Sequence, residues 1–116
     1  ENEVENFVKS GKNIFWQDAL KWPIRDFLKV YFFQKGYKDG LHGLVLALLQ
    51  AFYALLVFTK IWERQGFKER EIKINDLRDI KKLMTHEINY WFIETAINET
   101  NNVFKKIIFK LKKRFI

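Results

Sequence analysis

A run of seventeen residues without a charged side chain, Gly43 to Thr59, most restricts the folds that this 116-residue chain can adopt. Gln50 is the only strongly polar residue in the run. The run predicts a helix from about Leu41 to Trp62. Its length of about 33 Å is close to the hydrocarbon thickness of a bilayer, about 30 Å. A helix that is hydrophobic on every side must be buried, either in protein or in lipid.

Two sectors of this predicted helix differ from its remaining Leu, Val and Phe surface. With about 100° of rotation per residue, the more polar side chains share one sector: His42, Gln50, Tyr53 and Lys60. Small residues form a helix-packing seam in another sector: Gly43, Ala47, Ala51 and Ala54. Small side chains at this spacing let a second helix approach closely, which suggests pairing with a second copy. Three environments stay open: a buried helix or oligomer core, a shallow or re-entrant membrane insertion, and a full span.

The whole chain is predicted to be all-α, a small helical bundle or helical hairpin with one long apolar helix and a long C-terminal helix. One proline and five glycines leave little material for turn-rich β structure, and the absence of cysteine excludes disulfides and thiolate metal sites. A first helix is predicted from about Asn13 to Lys35 and is interrupted near Pro23, which can occupy the first turn of the part that follows. Gly36 is expected to end that helix, and Asp39 is expected to cap the apolar helix.

The chain divides into two predicted regions. Residues 1–66 form an aromatic-rich helical region, and residues 67–116 form a long charged helix with a basic amphipathic C-terminus. Asn75 or Asp76 is expected to cap the long helix. Its buried stripe is predicted to contain Leu77, Ile80, Met84, Ile88 and Trp91. The pattern weakens across residues 98–102, which predicts a break or kink.

The net charge of +7 is concentrated in the last twelve residues. Six basic side chains and no acid lie there: Lys105, Lys106, Lys110, Lys112, Lys113 and Arg114. The remaining residues carry 15 basic and 14 acidic side chains. Bulky apolar residues between the tail charges favour anionic lipid over nucleic acid, because Lys and Arg stems can snorkel while Ile and Phe enter the headgroup region. The alternative is a solvated C-terminus.

Twelve Phe, four Trp and four Tyr exceed what a core of this size needs, so some rings are expected at the surface. One mixed aromatic and basic group has the composition of a membrane–water interface: Trp22, Arg25, Lys29, Phe32 and Phe33. Aromatic residues and Arg are equally enriched at protein–protein interfaces. Both interpretations stay open for this group.

No catalytic residue, metal site or cofactor is predicted. His86-Glu87 begins like a zinc-protease helix, but Tyr90 stands where the second histidine is required. The sequence has no phosphate-binding P-loop, no dinucleotide-binding glycine motif and no nucleophile elbow.

The order of several short features between about Lys12 and Gln65 resembles the segment that follows the catalytic domain in bacterial family 2 glycosyltransferases of lipopolysaccharide-core and surface-polysaccharide assembly. The features are Trp22-Pro23, Phe27-Leu28, Tyr31-Phe32, Lys35-Gly36-Tyr37, Asp39-Gly40, Gly43-Leu44, Phe52-Tyr53 and Lys60-Ile61-Trp62-Glu63. The resemblance implies a parent enzyme that transfers a sugar from a nucleotide-sugar donor to a lipid-linked acceptor at the cytoplasmic membrane face. In that family an N-terminal α/β domain performs catalysis, and nothing in this chain matches it. Residues after Gly66 do not take part in the resemblance.

The sequence therefore suggests a non-catalytic C-terminal module of a membrane-associated glycosyltransferase, which provides membrane attachment, oligomerisation or both. Its expected location is peripheral, at the cytoplasmic face of the bacterial inner membrane. Expected partners are an anionic lipid surface, a second copy of the chain and the catalytic domain of a parent chain, and nucleic acid is not expected. The alternative is a stand-alone helical oligomerisation or scaffold protein without enzymatic activity.

Overall fold

The predicted all-α class is confirmed by the structure, a computed structural model that describes residues 2–99 and 103–114. The α-helices are α1 (Asn2–Lys9), α2 (Asp18–Leu28), α3 (Gly40–Arg64), α4 (Ile74–Asn98) and α5 (Val103–Arg114). A π-helical segment (Lys29–Phe33) and a 3-10 turn (Gly36–Asp39) connect α2 to α3. The long apolar helix and the long C-terminal helix both occur, and α3 extends one or two residues beyond its predicted bounds at each end. The predicted division between residues 66 and 67 falls between α3 and α4.

An antiparallel hairpin of α2 and α3 forms the centre of the molecule. Trp22, near the start of α2, contacts Phe58 in the last third of α3, with ring centroids 5.8 Å apart. Asp26 accepts a hydrogen bond from Gln50, at the middle of α3, over 3.0 Å. The 3-10 turn after α2 contacts α3 near its start, at Gly43. Together α2, the π-helical segment and the 3-10 turn thus run along most of one side of α3.

The first helix, α1, closes one end of this hairpin. It is short, with eight residues, and the sequence pattern did not predict it. Apolar side chains from α1, the following loop and α3 form the buried cluster there: Val4, Ile14, Phe58 and Ile61. Phe7 and Trp22 pack against this cluster, and an ion pair joins Glu5 of α1 to Arg64 of α3. The burial of Val4 fixes α1 on the hairpin, because its own length is too short for independent helix formation.

Three predictions about the first long helix are wrong. Pro23 lies inside α2 and not in its first turn. The helix begins at Asp18 and not near Asn13, and the Asp18 carboxylate accepts a hydrogen bond from the Phe15 N–H over 3.0 Å. At the other end, Lys35 and not Gly36 adopts the left-handed conformation, with φ 61° and ψ 33°.

The predicted helix caps also differ from the observed ones. Asp39 precedes α3 in the N-cap position, but its side chain makes no capping hydrogen bond. At α4 the N-cap position belongs to Lys73, so neither Asn75 nor Asp76 caps the helix. Neither helix depends on a side-chain cap, since tertiary packing supplies most helical stability in proteins.

The fourth helix packs against α2 and the π-helical segment. Arg25 of α2 donates two hydrogen bonds of 2.9 Å to the Glu87 carboxylate of α4. In the predicted stripe Ile80 and Met84 are buried, whereas Leu77 is exposed. The predicted break is confirmed, because α4 ends at Asn98 and a separate α5 follows. Helix α5 folds back along α4, where Lys113 pairs with Glu94 and lies 4.5 Å from the centre of the Tyr90 ring.

Candidate membrane-interaction surface

The two sides of α3 have opposite environments. Its buried side faces α2 and the core and consists of Gly43, Ala47, Ala54, Phe58 and Ile61. Nine large hydrophobic side chains cover the opposite half of the helix, and each is 39 to 76 % exposed. These nine residues, called here the α3 apolar face, are Leu41, Val45, Leu46, Leu48, Leu49, Phe52, Tyr53, Leu55 and Leu56. Exposure on this scale is unusual for a water-facing helix and typical of an interaction surface.

The α3 apolar face is also long. At 1.5 Å per residue, it extends about 23 Å from Leu41 to Leu56. The helical stretch Gly36–Arg64 is long and apolar enough to cross a membrane, although composition alone cannot distinguish a span from a buried helix. Only 22 % of the most apolar part of this stretch is buried, so α3 is not enclosed by the chain as a core helix would be. A core helix of a water-soluble bundle would be mostly buried.

The helix-packing seam is occupied by the chain itself. Gly43, Ala47 and Ala54 are buried and Ala51 is half-buried, on the side of α3 that α2 covers. The seam therefore provides the close approach between two helices of one chain. A second copy could use it only by displacing α2.

The polar sector of α3 does not interrupt the apolar face. Gln50 points towards α2, where its side-chain amide donates to Asp26. His42, Tyr53 and Lys60 are exposed along one edge of the face. Because the Gln50 amide is satisfied inside the protein, it does not oppose contact between α3 and lipid.

The aromatic and basic group on α2 and the π-helical segment separates into two sets. Trp22 packs between Phe7 and Phe58, with ring centroids 5.7 and 5.8 Å away. Phe32 is buried against Phe92, with ring centroids 4.9 Å apart. The expectation that Phe32 meets headgroups is therefore wrong, because its ring is buried in the protein. Trp22 is half-buried against the core, and the expectation for this ring stays a prediction.

Three members of the same group stay accessible. Lys29 and Phe33 are exposed, and Phe33 makes an edge contact with Trp91. Arg25 is partly exposed, but its guanidinium is held by Glu87. The hydrogen bonds that Arg25 donates to Glu87 raise the pKa of Arg25, so the guanidinium charge has its partner within the protein.

The basic tail forms the amphipathic helix that its sequence predicts. Three of its apolar side chains, Ile107, Ile108 and Leu111, are 40 to 52 % exposed. Lys110, Lys112 and Arg114 are exposed as well. Lys113 differs, because its hydrogen bond to Glu94 raises its pKa and holds it against α4. The side chains of Lys105 and Lys106 lie outside the described residues.

Charges are placed on the side of the hairpin away from the α3 apolar face. Arg25, Asp26 and Lys29 lie on or directly after α2, which covers the buried side of α3. Asp26 is held at the middle of α3 by Gln50, and Glu87 of α4 lies farther out. Arg25, Asp26 and Lys29 therefore belong to the part of the hairpin that lies opposite the α3 apolar face. Within the described residues, no group of His, Asp and Glu residues could hold a metal ion.

Comparisons with protein-family models, curated proteins and solved structures found no match to this chain.

Proposed function

We propose that this chain attaches to an anionic membrane surface with α3 lying in the plane of the interface. The α3 apolar face enters the outer part of the hydrocarbon, and α2 remains on the water side. The carrying observation is that nine large apolar side chains are exposed on the side of α3 opposite α2. A helix of this kind inserts about 5–10 Å into the boundary between headgroups and acyl chains.

The charges beside α3 favour this orientation over a full span. If α3 crossed the bilayer in this fold, α2 would cross with it, because the two helices are packed along their lengths. Arg25, Asp26 and Lys29 would then enter the hydrocarbon. Each such charge costs about 2.5–3.5 kcal/mol at the centre of an inserted helix, even on the most lenient scale. An in-plane helix leaves these groups in water.

The basic tail adds electrostatic attraction to this apolar attachment. Lys110, Lys112 and Arg114 are exposed on a helix whose Ile107 and Leu111 are exposed too. Each basic residue near an anionic leaflet contributes about 1 kcal/mol. The tail thereby selects anionic lipid, whereas α3 supplies affinity that does not depend on lipid charge.

Cysteine labelling tests the orientation directly, because the chain contains no cysteine. His42→Cys and Glu63→Cys place a thiol near either end of α3, and Leu49→Cys places one on the apolar face. On chains bound to the outside of anionic vesicles, an impermeant thiol reagent should label both end positions and not Leu49→Cys. Protection of one end until detergent is added would instead demonstrate a span. Rapid labelling of Leu49→Cys on bound chains would exclude insertion of this face.

We further propose, from the sequence resemblance, that the module belongs to a family 2 glycosyltransferase at the cytoplasmic face of the bacterial inner membrane. The resembling residues, from about Lys12 to Gln65, coincide with the α2–α3 hairpin, a single structural unit. The module itself would be non-catalytic and would hold the parent's catalytic domain near its lipid-linked acceptor. The test is the reading frame upstream of this segment, which should encode a nucleotide-sugar-binding α/β domain. A frame without such a domain rejects this part of the proposal.

A second candidate function is self-association without a membrane. The same exposed apolar face favours it, because a second copy could bury those nine side chains equally well. Sedimentation equilibrium in the absence of lipid distinguishes the two. A stable dimer that excludes vesicle binding supports the scaffold function, and a monomer that binds vesicles supports the membrane function.

A further inference from the structure

A pocket lies at the C-terminal end of α3, where the last two turns of the helix contact two loops. It has a volume of about 190 Å³ and opens between the loop before α2 and the loop that follows α3. Its floor is apolar and is formed by Ile14, Trp16, Ala19, Phe58 and Trp62. Three charged residues and Ile72 complete the lining: Lys68, Glu69 and Arg70.

The wall of this pocket is held in place by specific contacts. The Trp62 indole N–H donates to the Lys68 carbonyl oxygen over 2.8 Å. The ring of Phe67 stands edge-on against Trp62, with centroids 4.9 Å apart. Phe67 has a φ of 52°, a conformation that bulky residues rarely adopt. Backbone strain of this kind persists only where surrounding contacts impose it, and it is frequent at ligand-binding sites.

The pocket combines an apolar floor with cations that have no acidic partner. Neither Lys68 nor Arg70 makes an ion pair with any residue that the structure describes. Arg70 makes only a long contact of 3.4 Å with the Glu69 carbonyl oxygen. Glu69 is the one acid in the lining, so the rim keeps a net positive charge. A phosphate monoester, which carries a charge of about −1.5 to −2 near neutral pH, is attracted by this net charge of +1 and can contact both cations.

We infer that this pocket binds an amphipathic anion, a hydrocarbon group that carries a phosphate. The hydrocarbon lies on the floor between Trp16 and Trp62, and the phosphate meets Lys68 and Arg70. The volume is below the range of about 300–1,000 Å³ that holds whole drug-sized ligands, so only one end of a longer molecule enters. Binding here is independent of the α3 apolar face. The ligand can come from a lipid leaflet or from a soluble phosphorylated metabolite.

Titration of the full chain with octyl phosphate, below the concentration at which it forms micelles, tests the inference. The four tryptophan indole N–H signals in a nitrogen–proton NMR spectrum report on separate places, and single Trp→Phe variants assign them. Trp16 and Trp62 line the pocket, whereas Trp22 and Trp91 do not. Octyl phosphate should shift the first pair and leave the second pair unchanged. Equal shifts of all four signals would indicate detergent-like association and overturn the inference.

Two matched ligands separate the contribution of the apolar floor to binding from that of the two cations. Octyl glucoside has the same chain without charge, and inorganic phosphate has the charge without the chain. Each should bind at least about tenfold more weakly than octyl phosphate, which corresponds to about 1.4 kcal/mol. Equal affinity for octyl glucoside would overturn the role of the cations, and equal affinity for inorganic phosphate would overturn the role of the floor.

Paired variants test whether Lys68 and Arg70 supply the electrostatic contribution to octyl phosphate binding. Lys68→Ala with Arg70→Ala should weaken octyl phosphate binding at least about tenfold. The control pair, Lys81→Ala with Lys82→Ala, removes the same charge from exposed positions on α4 and should have little effect. Equal loss in both pairs would overturn the inference in favour of a general charge effect.

Vesicles containing a phosphorylated lipid distinguish the two sources of ligand. The Trp16 and Trp62 signals are followed in the α3 face variant, Leu49→Gln with Phe52→Gln. This variant is expected not to attach through the α3 apolar face, so changes in the two signals report on the pocket. If that variant still binds octyl phosphate, the pocket functions whether or not the α3 face proposal holds. If it binds octyl phosphate but not vesicles, the source is a soluble ligand. Loss of octyl phosphate binding in a folded α3 face variant would contradict the independence of the two surfaces.

Discussion

The Gly36 carbonyl oxygen occupies the space in which a side chain at Gly43 would begin. A methyl group added to Gly43 would lie 1.8 Å from that oxygen, and one added to Gly36 would lie 2.8 Å from the Val30 carbonyl oxygen. Both obstacles are backbone atoms, which cannot rotate away as a side chain can. The two glycines therefore fix how closely the 3-10 turn approaches the first turns of α3.

Gly43→Ala is expected to destabilise the protein by at least about 1–3 kcal/mol, the usual cost of forcing extra volume into a packed site. Ala is the better helix former, so propensity alone predicts the opposite sign. The free energy of unfolding, measured by urea denaturation followed by circular dichroism, checks this. His42→Ala, at the exposed neighbouring position, is the control and should change it little. A Gly43→Ala variant as stable as the unmodified chain would refute the close contact.

Leu49→Gln together with Phe52→Gln should weaken binding to vesicles at every lipid composition. Both side chains are 58 % exposed on the α3 apolar face, so the variant should keep its fold. Full burial of such side chains contributes about 1.5–3 kcal/mol each, which makes a loss of roughly tenfold or more reasonable. The control is Ile74→Gln with Leu83→Gln, two exposed apolar residues of α4. Vesicle co-sedimentation measures both, and equal losses would disprove a specific role for α3.

Removal of tail charge should affect only binding to anionic vesicles. Replacement of Lys110, Lys112 and Arg114 by Ala is expected to reduce that binding roughly ten- to a hundredfold, since each basic residue contributes about 1 kcal/mol. Binding to uncharged vesicles should stay the same. In the control variant, Ala replaces Lys73, the N-cap residue of α4, and the exposed Lys81 and Lys82 of the same helix. An identical loss in that variant would assign the effect to net charge and not to α5.

The Arg25–Glu87 pair should show a coupling energy of about 0.5–1 kcal/mol in a double-mutant cycle. Its bidentate geometry is favourable, but the side chains of Arg25 and Glu87 are 47 % and 25 % exposed, so solvent screens the attraction between them. Arg25→Met, Glu87→Gln and the double variant supply the cycle by urea denaturation. The coupling should decrease as salt is added. Strictly additive effects would mean that the pair contributes nothing to the docking of α4 on α2.

Tyr37 should ionise later than a free tyrosine. Its hydroxyl donates to the Glu99 carboxylate over 2.6 Å, and this hydrogen bond raises the pKa of Tyr37 to about 12. The stabilising contribution of a raised pKa is complete below the ordinary value of 10.0 and is lost as pH rises through about 12. Tyrosinate absorbance should therefore show one late step that disappears in Tyr37→Phe and moves to lower pH in Glu99→Gln. A late step that survives Tyr37→Phe would contradict this assignment.

The fold class, the long apolar helix and the break before α5 could be predicted because they depend on local patterns. An uncharged run of seventeen residues leaves few alternatives to a helix, and polar residues near Asn98 interrupt the apolar stripe. Helix α1 escaped prediction because it is only eight residues long and depends on the burial of Val4 against distant residues.

The candidate surface was only partly predictable for the same reason. Composition assigned Phe32 to a group suited to a membrane or a protein interface, but its contact with Phe92 buries the ring within the chain. The seam of small residues was recognised from its spacing, whereas its partner, the helix α2 of the same chain, could not be. The pocket beside Trp62 depends on a loop with positive φ at Phe67, which no local pattern indicates.

The one-sided exposure of α3 has a mechanical consequence for the proposed attachment. A helix that enters only one leaflet adds cross-sectional area there and none to the opposite leaflet. Such a wedge relieves packing defects on convex bilayers, so its affinity rises as vesicles become smaller. A chain held by its basic tail alone would respond to lipid charge but not to vesicle radius. The asymmetry of a single helix would thus give this protein a preference for curved regions of the cell membrane.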